Sequence, residues 1–149
     1  MLIQERELDV SRIKKHRRFQ KKYLPLAETA VDAFQDKIIR GENVQILVSR
    51  HGNKREFERC ISHREIMQVI EEGYPIEFQG YNRDSMDILM MSYVKIGKKN
   101  YRPLHVAIAV DKNYETVIVK TAYDPRTREW QWEKNYQKRL FYFNKVEQE

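Results

Sequence analysis

The sequence predicts an α+β fold in which N-terminal helices pack on an antiparallel β-sheet meander. Apolar residues recur about every 3.6 residues before Gly73, and about every second residue from Tyr74 onward. Short turns join the later segments, which is typical of antiparallel strands. The 149 residues suffice for one core, so we expect a basic helical extension at residues 1–40 and a domain at residues 41–149.

Two helices are predicted before residue 40. Leu2–Tyr23 has few apolar residues, whereas Leu26–Ile39 carries a clear apolar stripe at helical spacing. Pro25 lies between them and is expected to break the helix, because proline lacks an N–H and its ring collides with the preceding turn. Gly41 is the predicted stop of the second helix.

The next thirty or so residues are predicted to form one strand and two helices. Val44–Val48 has the composition of a short strand, and His51–Cys60 that of a helix. Ser62 is followed three residues later by Glu65, which is the capping-box pattern of a helix start. Gly73 ends that helix.

The segments with a period of two are four predicted strands, and their pairing decides which residues share a face. Pairing Val110 with Glu115 gathers the apolar residues of the last two strands on one side. His105 then lies directly opposite Lys120 on the other side. The predicted strands are Ile76–Gln79, Met86–Ile96, Arg102–Val110 and Glu115–Tyr123.

This pairing predicts a shallow, accessible polar site above a floor formed by Ala107 and Ala109. A slip by one residue would instead place His105 beside Thr121 and Tyr123. The simpler interpretation is that His105 is a half-exposed strand residue without a function.

The positive charge is concentrated at the start of the sequence. The net charge is +6, and residues 1–24 contribute +5 of it, with eight basic and three acidic residues. A basic arm of this kind suits a nucleic-acid phosphate backbone. A solvated helix face or a site for an acidic protein would have the same composition. The candidates for phosphate contacts are Lys14, Lys15, Arg17 and Arg18.

A second basic feature is the stripe that His51, Arg55 and Arg59 form on the predicted helix, where they recur every four residues. The imidazole can exchange protons near neutral pH, and guanidinium groups can bind a phosphate. These groups suit RNA cleavage without a metal ion, and the sequence offers no convincing set of metal ligands. A solvated helix face is the alternative.

Aromatic and basic residues near the end of the sequence are further candidates. Tyr123 and Trp130 could stack on bases, although aromatic side chains in strands more often serve packing. Arg139 belongs to a basic group that either extends a phosphate-binding surface or is only solvated.

Several of these residues also carry a resemblance to a bacterial family of domains of unknown function, DUF4258. The segments concerned are Ser49-Arg50-His51 with Arg55, Arg59, Ile61 and Ser62, then Pro103-Leu104-His105-Val106, then Lys120-Thr121-Ala122-Tyr123-Asp124-Pro125, and Trp130 or Trp132. The resemblance spans residues 44–140 approximately. Residues 1–40 lie outside it, and Tyr81–Lys99 is longer than the family pattern.

That family is grouped with metal-independent ribonucleases of the barnase, EndoU, colicin and RelE-like fold, many of which resemble toxins of toxin–antitoxin pairs. The resemblance therefore implies a RelE-like or barnase-like domain, RNA as substrate, free or on the ribosome, and a cognate antitoxin as partner. It also implies that His51 and Arg55, with Arg59 as companion, are signature helix residues. His105 and Thr121-Ala122-Tyr123 would be signature strand positions.

The leading hypothesis is a metal-independent ribonuclease that needs no cofactor and acts as a toxin. Its predicted catalytic residues are His51, Arg55, Arg59, His105, Lys120 and Tyr123. Its predicted RNA-binding residues are Thr121, Trp130, Arg139, Lys14, Lys15, Arg17 and Arg18. The alternatives are a non-catalytic module that binds nucleic acid or protein through the basic arm, and a purely structural or inhibitory interaction protein.

The sequence also bears on the compartment. Cys60 is the single cysteine and cannot form an internal disulfide, and the first nine residues are too charged for a signal peptide. No apolar run approaches the about 20 residues that a membrane span needs. We therefore expect a cytoplasmic protein.

Overall fold

The first element is one long helix. A computed structural model describes residues 8–49 and 61–140, and helix α1 covers Val10–Ile39 without interruption. Asp9 caps its start, because the carboxylate accepts a hydrogen bond from the Arg12 N–H at 3.0 Å. The predicted break at Pro25 is wrong, since this residue lies inside the helix.

Contacts on both sides of Pro25 explain why the helix continues. Before it, the Gln20 side chain makes two hydrogen bonds to the backbone of Phe78: its amide donates to the carbonyl at 2.9 Å and its oxygen accepts from the N–H at 2.8 Å. After it, Ala27 and Phe34 are fully buried. The tertiary contacts of the two halves thus outweigh the loss of one helical hydrogen bond.

Helix α2, His63–Glu72, begins with the predicted capping box. The Glu65 N–H donates to the Ser62 hydroxyl oxygen at 3.1 Å, and the Ser62 N–H donates to the Glu65 carboxylate at 2.8 Å. Gly73 follows the helix as predicted. A Cβ there would lie 2.7 Å from the Met91 carbonyl oxygen, so only glycine fits.

Five strands form one mixed sheet in the order β1-β5-β4-β3-β2. Strands β2 to β5 form the predicted antiparallel meander, but β1 pairs with β5 in parallel, so the sheet is not antiparallel throughout. The long connection through α2 and the meander brings β5 back beside β1 in the same direction. The strands are β1 (Gln45–Val48), β2 (Tyr74–Asn82), β3 (Ser85–Lys95), β4 (Tyr101–Asp111) and β5 (Thr116–Tyr123).

The two faces of the sheet are covered differently. The inner face packs against α1 and α2, and its side chains from β4 and β5 include Leu104, Val106, Ile108, Val110, Val117 and Val119. The outer face carries a smaller core in which Trp132 packs on residues of β2 and β3. Trp132 follows a 3-10 helix, Pro125–Gln131, so the segment after β5 folds back over part of the outer face. Among the described helices, none has the length and apolar character to cross a membrane.

The register of β4 and β5 differs from the predicted one. Val110 pairs with Val117 and not with Glu115, because the Asp111 carboxylate accepts the N–H groups of Glu115 and Thr116 and so extends the turn. A bulge then shifts the pairing by one residue, and His105 lies opposite Tyr123. The predicted pairing of His105 with Lys120 is therefore wrong. The observed partner, Tyr123, is one of the two residues, Thr121 and Tyr123, that the slipped register places beside His105.

Candidate active site

The outer face contains a polar site above two alanines of β4. Ala107 and Ala109 point to this face, between Asp87 of β3 and the end of β5. Their small side chains leave room, and Lys120 reaches over them so that its Nζ lies 3.3 Å from Asp87 Oδ2. The predicted alanine floor therefore exists, but an aspartate and not a histidine faces Lys120.

Lys120 reaches this site because of the bulge in β5. Val119 pairs with Ile108 and Thr121 with Ala107, so Lys120 is the additional residue between them. In a bulge two successive residues oppose one partner, which breaks the alternation of faces. Thr121 is half-buried beside it, and the Lys120 side chain remains 45% exposed. The ion-paired Lys120 side chain is thus partly accessible on this face.

Asp87 is the ion-pair partner of Lys120 and lies at the floor of the site. Its side chain is only 16% exposed, and its second carboxylate oxygen, Oδ1, is buried without a hydrogen-bond partner among the described residues. A buried carboxylate oxygen without a partner is costly, and a neighbouring cation offsets that cost. The sequence analysis does not include Asp87 among the site residues, although a single acid in the largely apolar strand β3 was a signal.

His105 is fully buried beneath the segment that follows β5. Its Nε2 lies 2.8 Å from the Tyr136 carbonyl oxygen and therefore carries the proton, while Nδ1 lies 3.1 Å from the Tyr123 hydroxyl and accepts from it. The Trp132 ring meets the imidazole edge-on, with 4.5 Å between the ring centroids. Burial lowers the pKa of His105 to about 4. The expectation of an accessible His105 is therefore wrong, because the imidazole is fully buried. The neutral imidazole accepts the hydrogen bond that fixes Tyr123.

A second buried polar group lies near His105 at the edge of β2. Glu77 accepts two hydrogen bonds from Arg139, at 2.8 and 3.1 Å, and His16 Nε2 lies 3.2 Å from its carboxylate. Burial alone would raise the pKa of Glu77, but the hydrogen bonds from His16 and Arg139 outweigh it and hold the pKa at about 2. This group joins α1, β2 and the segment after β5, and sequence reasoning did not find it.

The predicted RNA-binding residues fall into three environments. Lys14, Lys15 and Arg18 are exposed on α1, as is Arg17, whose guanidinium pairs with Glu133. Arg139 is 11% exposed, and its guanidinium carbon lies 4.5 Å from the centre of the Trp132 ring. Trp130 is half-buried in the 3-10 helix. The register of β4 and β5 thus pairs Thr121 with Ala107 and Tyr123 with His105 and places Lys120 in the bulge beside them. Lys14, Lys15, Arg17 and Arg18 belong to α1.

His51, Arg55 and Arg59 lie outside the described residues, as do Cys60 and the predicted helix that contains them. The flank of that segment is described. Ser49 directly follows β1, and its hydroxyl donates to the Lys120 carbonyl oxygen at 3.4 Å. The parallel pairing of β1 with β5 therefore brings the chain to the Lys120 bulge two residues before His51 in the sequence.

The described residues contain no group of three histidine, cysteine, aspartate or glutamate side chains that could hold a metal ion. No curated protein and no solved structure gives a significant match. The profile of the family described as "Domain of unknown function (DUF4258)" matches residues 48–124, which is just over half of the chain and includes Lys120, Asp87 and His105. The chain therefore belongs to the DUF4258 family.

Proposed function

We propose that this protein is a metal-independent ribonuclease whose site on the outer face is centred on Lys120. The observation that carries the proposal is the exposed Lys120 ammonium, held 3.3 Å from Asp87 above the alanine floor. A cation held in place on an accessible face can bind a phosphate and stabilise the charge that develops on it. The family region contains this pair and also the predicted His51 stripe.

The reaction is an attack of the ribose 2′-hydroxyl on the adjacent phosphorus. A base removes the hydroxyl proton, the bond from the 2′-oxygen to phosphorus forms, and the bond from phosphorus to the 5′-oxygen breaks. An acid gives a proton to the leaving 5′-oxygen. The products are a 2′,3′-cyclic phosphate and a free 5′-hydroxyl, and no electron transfer or cofactor is involved.

The roles divide between exposed and buried residues. Lys120, together with Arg55 and Arg59, stabilises the negative charge of the transition state. His51 is the acid or base, because His105 is buried without contact to solvent and both of its ring nitrogens are hydrogen-bonded. In this proposal His105 is a positioning residue: it accepts the Tyr123 hydroxyl hydrogen bond and so fixes the end of β5.

The resemblance also bears on the biological setting. We propose a toxin with a cognate antitoxin in the cytoplasm. The support is the family resemblance and the net charge of +6, which favours association with RNA, free or on the ribosome.

The test is cleavage of end-labelled RNA in excess EDTA by the wild type, Lys120→Ala and His51→Ala. We expect loss of one charge-stabilising group to slow cleavage by about 100-fold or more, with 2′,3′-cyclic ends on the wild-type products. Lys112→Ala and His63→Ala are matched controls, because both residues are exposed in the β4–β5 turn and at the start of α2. Cleavage by Lys120→Ala at the wild-type rate would remove Lys120 from the mechanism.

A non-catalytic RNA-binding module is the second candidate, and the exposed basic residues of α1 favour it. It predicts RNA binding that weakens steeply between about 50 and 200 mM salt, without cleavage. It also predicts that Lys120→Ala and His51→Ala bind as tightly as the wild type. Wild-type cleavage that both variants lack would reject it.

A further inference from the structure

A cleft of about 310 Å³ lies between the first half of α1, the start of β2 and the segment after β5. One wall is apolar and is formed by Leu24, Pro75 and Ile76. Two lysines, Lys21 and Lys138, stand at its rim and are exposed. Apolar walls with a few placed charges are typical of ligand sites, and the volume is near the lower end of their range of about 300–1,000 Å³.

Buried ion pairs fix the walls of the cleft. Glu77 lines it, but Arg139 and His16 take up its carboxylate. Lys21 and Lys138 form no ion pair or side-chain hydrogen bond with any residue in the described part of the chain. The acidic charge of the cleft is therefore compensated internally, whereas no acid within residues 8–49 and 61–140 compensates the two ammonium groups.

These features match one nucleotide in a strand better than a free anion. A planar base has an apolar face that suits the wall, and in a strand it has a phosphate on each side, one for each of the two exposed lysines. The cleft borders β2, three strands away from Lys120 on β5, which is about 14 Å at the usual strand spacing. A nucleotide bound there would be separate from the bond that is cleaved.

We propose that this cleft binds one nucleotide of single-stranded RNA, with its base on the Leu24, Pro75 and Ile76 wall and its flanking phosphates on Lys21 and Lys138. The identity of the ligand rests on the proposed function, but binding to the cleft can be measured without cleavage. It anchors the substrate on α1 while the reaction takes place on the outer face. It also gives a function to a helix that lies outside the family region.

The test uses the full chain and a labelled single-stranded RNA with 2′-O-methyl groups at every ribose, which cannot undergo 2′-hydroxyl attack. Binding is measured by fluorescence anisotropy for the wild type, Lys21→Glu/Lys138→Glu and the charge-matched control Lys98→Glu/Lys99→Glu. The control lysines lie in the exposed bend between β3 and β4. All four side chains are exposed, so none of the substitutions removes core packing.

We expect the cleft variant to bind at least about tenfold more weakly than the control, which corresponds to about 1.4 kcal/mol. Loss of two phosphate contacts should also lower the slope of log affinity against log salt by about 1.4. A duplex of the same sequence should bind more weakly than the single strand, since its bases are not free to enter the cleft. Equal weakening in both double variants, or equal binding of the duplex, would overturn the proposal.

Cleavage of unmodified RNA separates this proposal from the ribonuclease proposal. If Lys120→Ala abolishes cleavage but the cleft variant binds like the control, the ribonuclease proposal stands and the nucleotide site is rejected. If the wild type does not cleave but the cleft variant loses binding, the nucleotide site stands alone. Competition by an acidic peptide as strong as that by RNA would identify a protein site instead and reject the nucleotide.

Discussion

Burial keeps the imidazole of His105 neutral. The Tyr136 carbonyl accepts the Nε2 proton, the Tyr123 hydroxyl occupies Nδ1, and the Trp132 ring excludes water from one edge. A second proton would place a charge in a fully buried site. Burial is the largest effect and opposes that charge, as does Arg139. The Tyr136 carbonyl, Glu77 and Asp124 favour the charge but do not outweigh burial, so the pKa falls to about 4.

This state makes the stability of the protein depend on pH. The pKa of His105 is about 4 in the folded chain and 6.5 in the reference state, so between these values the unfolded chain binds more protons. Stability is therefore lost as pH falls below 6.5, by about 1.4 kcal/mol per pH unit, or about 2 kcal/mol by pH 5. Below pH 4.5 the low pKa of Glu77 adds a further loss.

Urea unfolding at pH 7 and pH 5 measures this dependence. His105→Gln should reduce the difference in unfolding free energy between the two pH values by about 2 kcal/mol, whatever its effect at pH 7. His63→Gln is the control, because His63 is exposed at the start of α2, and it should keep the wild-type difference. An unchanged difference in His105→Gln would mean that this imidazole is not held neutral.

At the scale of elements, α1 shows the limit of local sequence rules. Proline in a helix interior costs about 3 kcal/mol, which is why Pro25 was expected to separate two helices. The opposing contacts are distant in sequence: Gln20 bonds to Phe78, and Ala27 packs in the core. No local pattern contains that information. The capping box at Ser62 was predictable because both partners lie within four residues.

Replacement of Pro25 tests this account of α1. Pro25 is exposed, so Pro25→Ala removes no buried contact, restores one helical hydrogen bond and relieves the ring collision. The greater freedom of alanine in the unfolded chain offsets part of the gain. We expect the unfolding free energy to rise by about 1–2 kcal/mol in urea titration. A decrease would indicate that α1 needs a bend at Pro25 to reach both the core and Glu77.

The β4–β5 hairpin shows which part of a candidate site follows from alternation alone. The inner-face residues of β4 were predicted correctly, because every second residue from Leu104 to Val110 is apolar and buried. The register was not predictable, since the Asp111 contacts and the Lys120 bulge each shift the pairing. As a result, the neighbour of His105 is Tyr123 and not Lys120. The neighbour of Lys120 is Asp87 and not His105.

At the scale of the whole molecule, the family region alone does not cover its own sheet. Residues 48–124 hold α2 and strands β2 to β5. The inner face of that sheet is covered partly by Phe34 of α1, and the outer face by Trp132 of the following segment. Both candidate sites include residues outside the family region. On the outer face, Trp132 covers His105. The cleft is lined by Lys21 and Lys138.

The integration of α1 into the core leads to a prediction about the expected division at residue 40. Without residues 1–40, the inner face would expose the surface that Ala27, Ala30, Val31 and Phe34 now bury, and β2 would lose the Gln20 bonds at its edge. We therefore expect the fragment 41–149 to lack cooperative thermal unfolding by circular dichroism. In the full chain, Phe34→Ala should cost about 3–5 kcal/mol, and Phe19→Ala much less, because Phe19 is 42% exposed. A fragment that unfolds cooperatively and has a native-like α2 and sheet would show instead that α1 is a dispensable extension. Helix α1 would then line the proposed RNA cleft without supporting the fold.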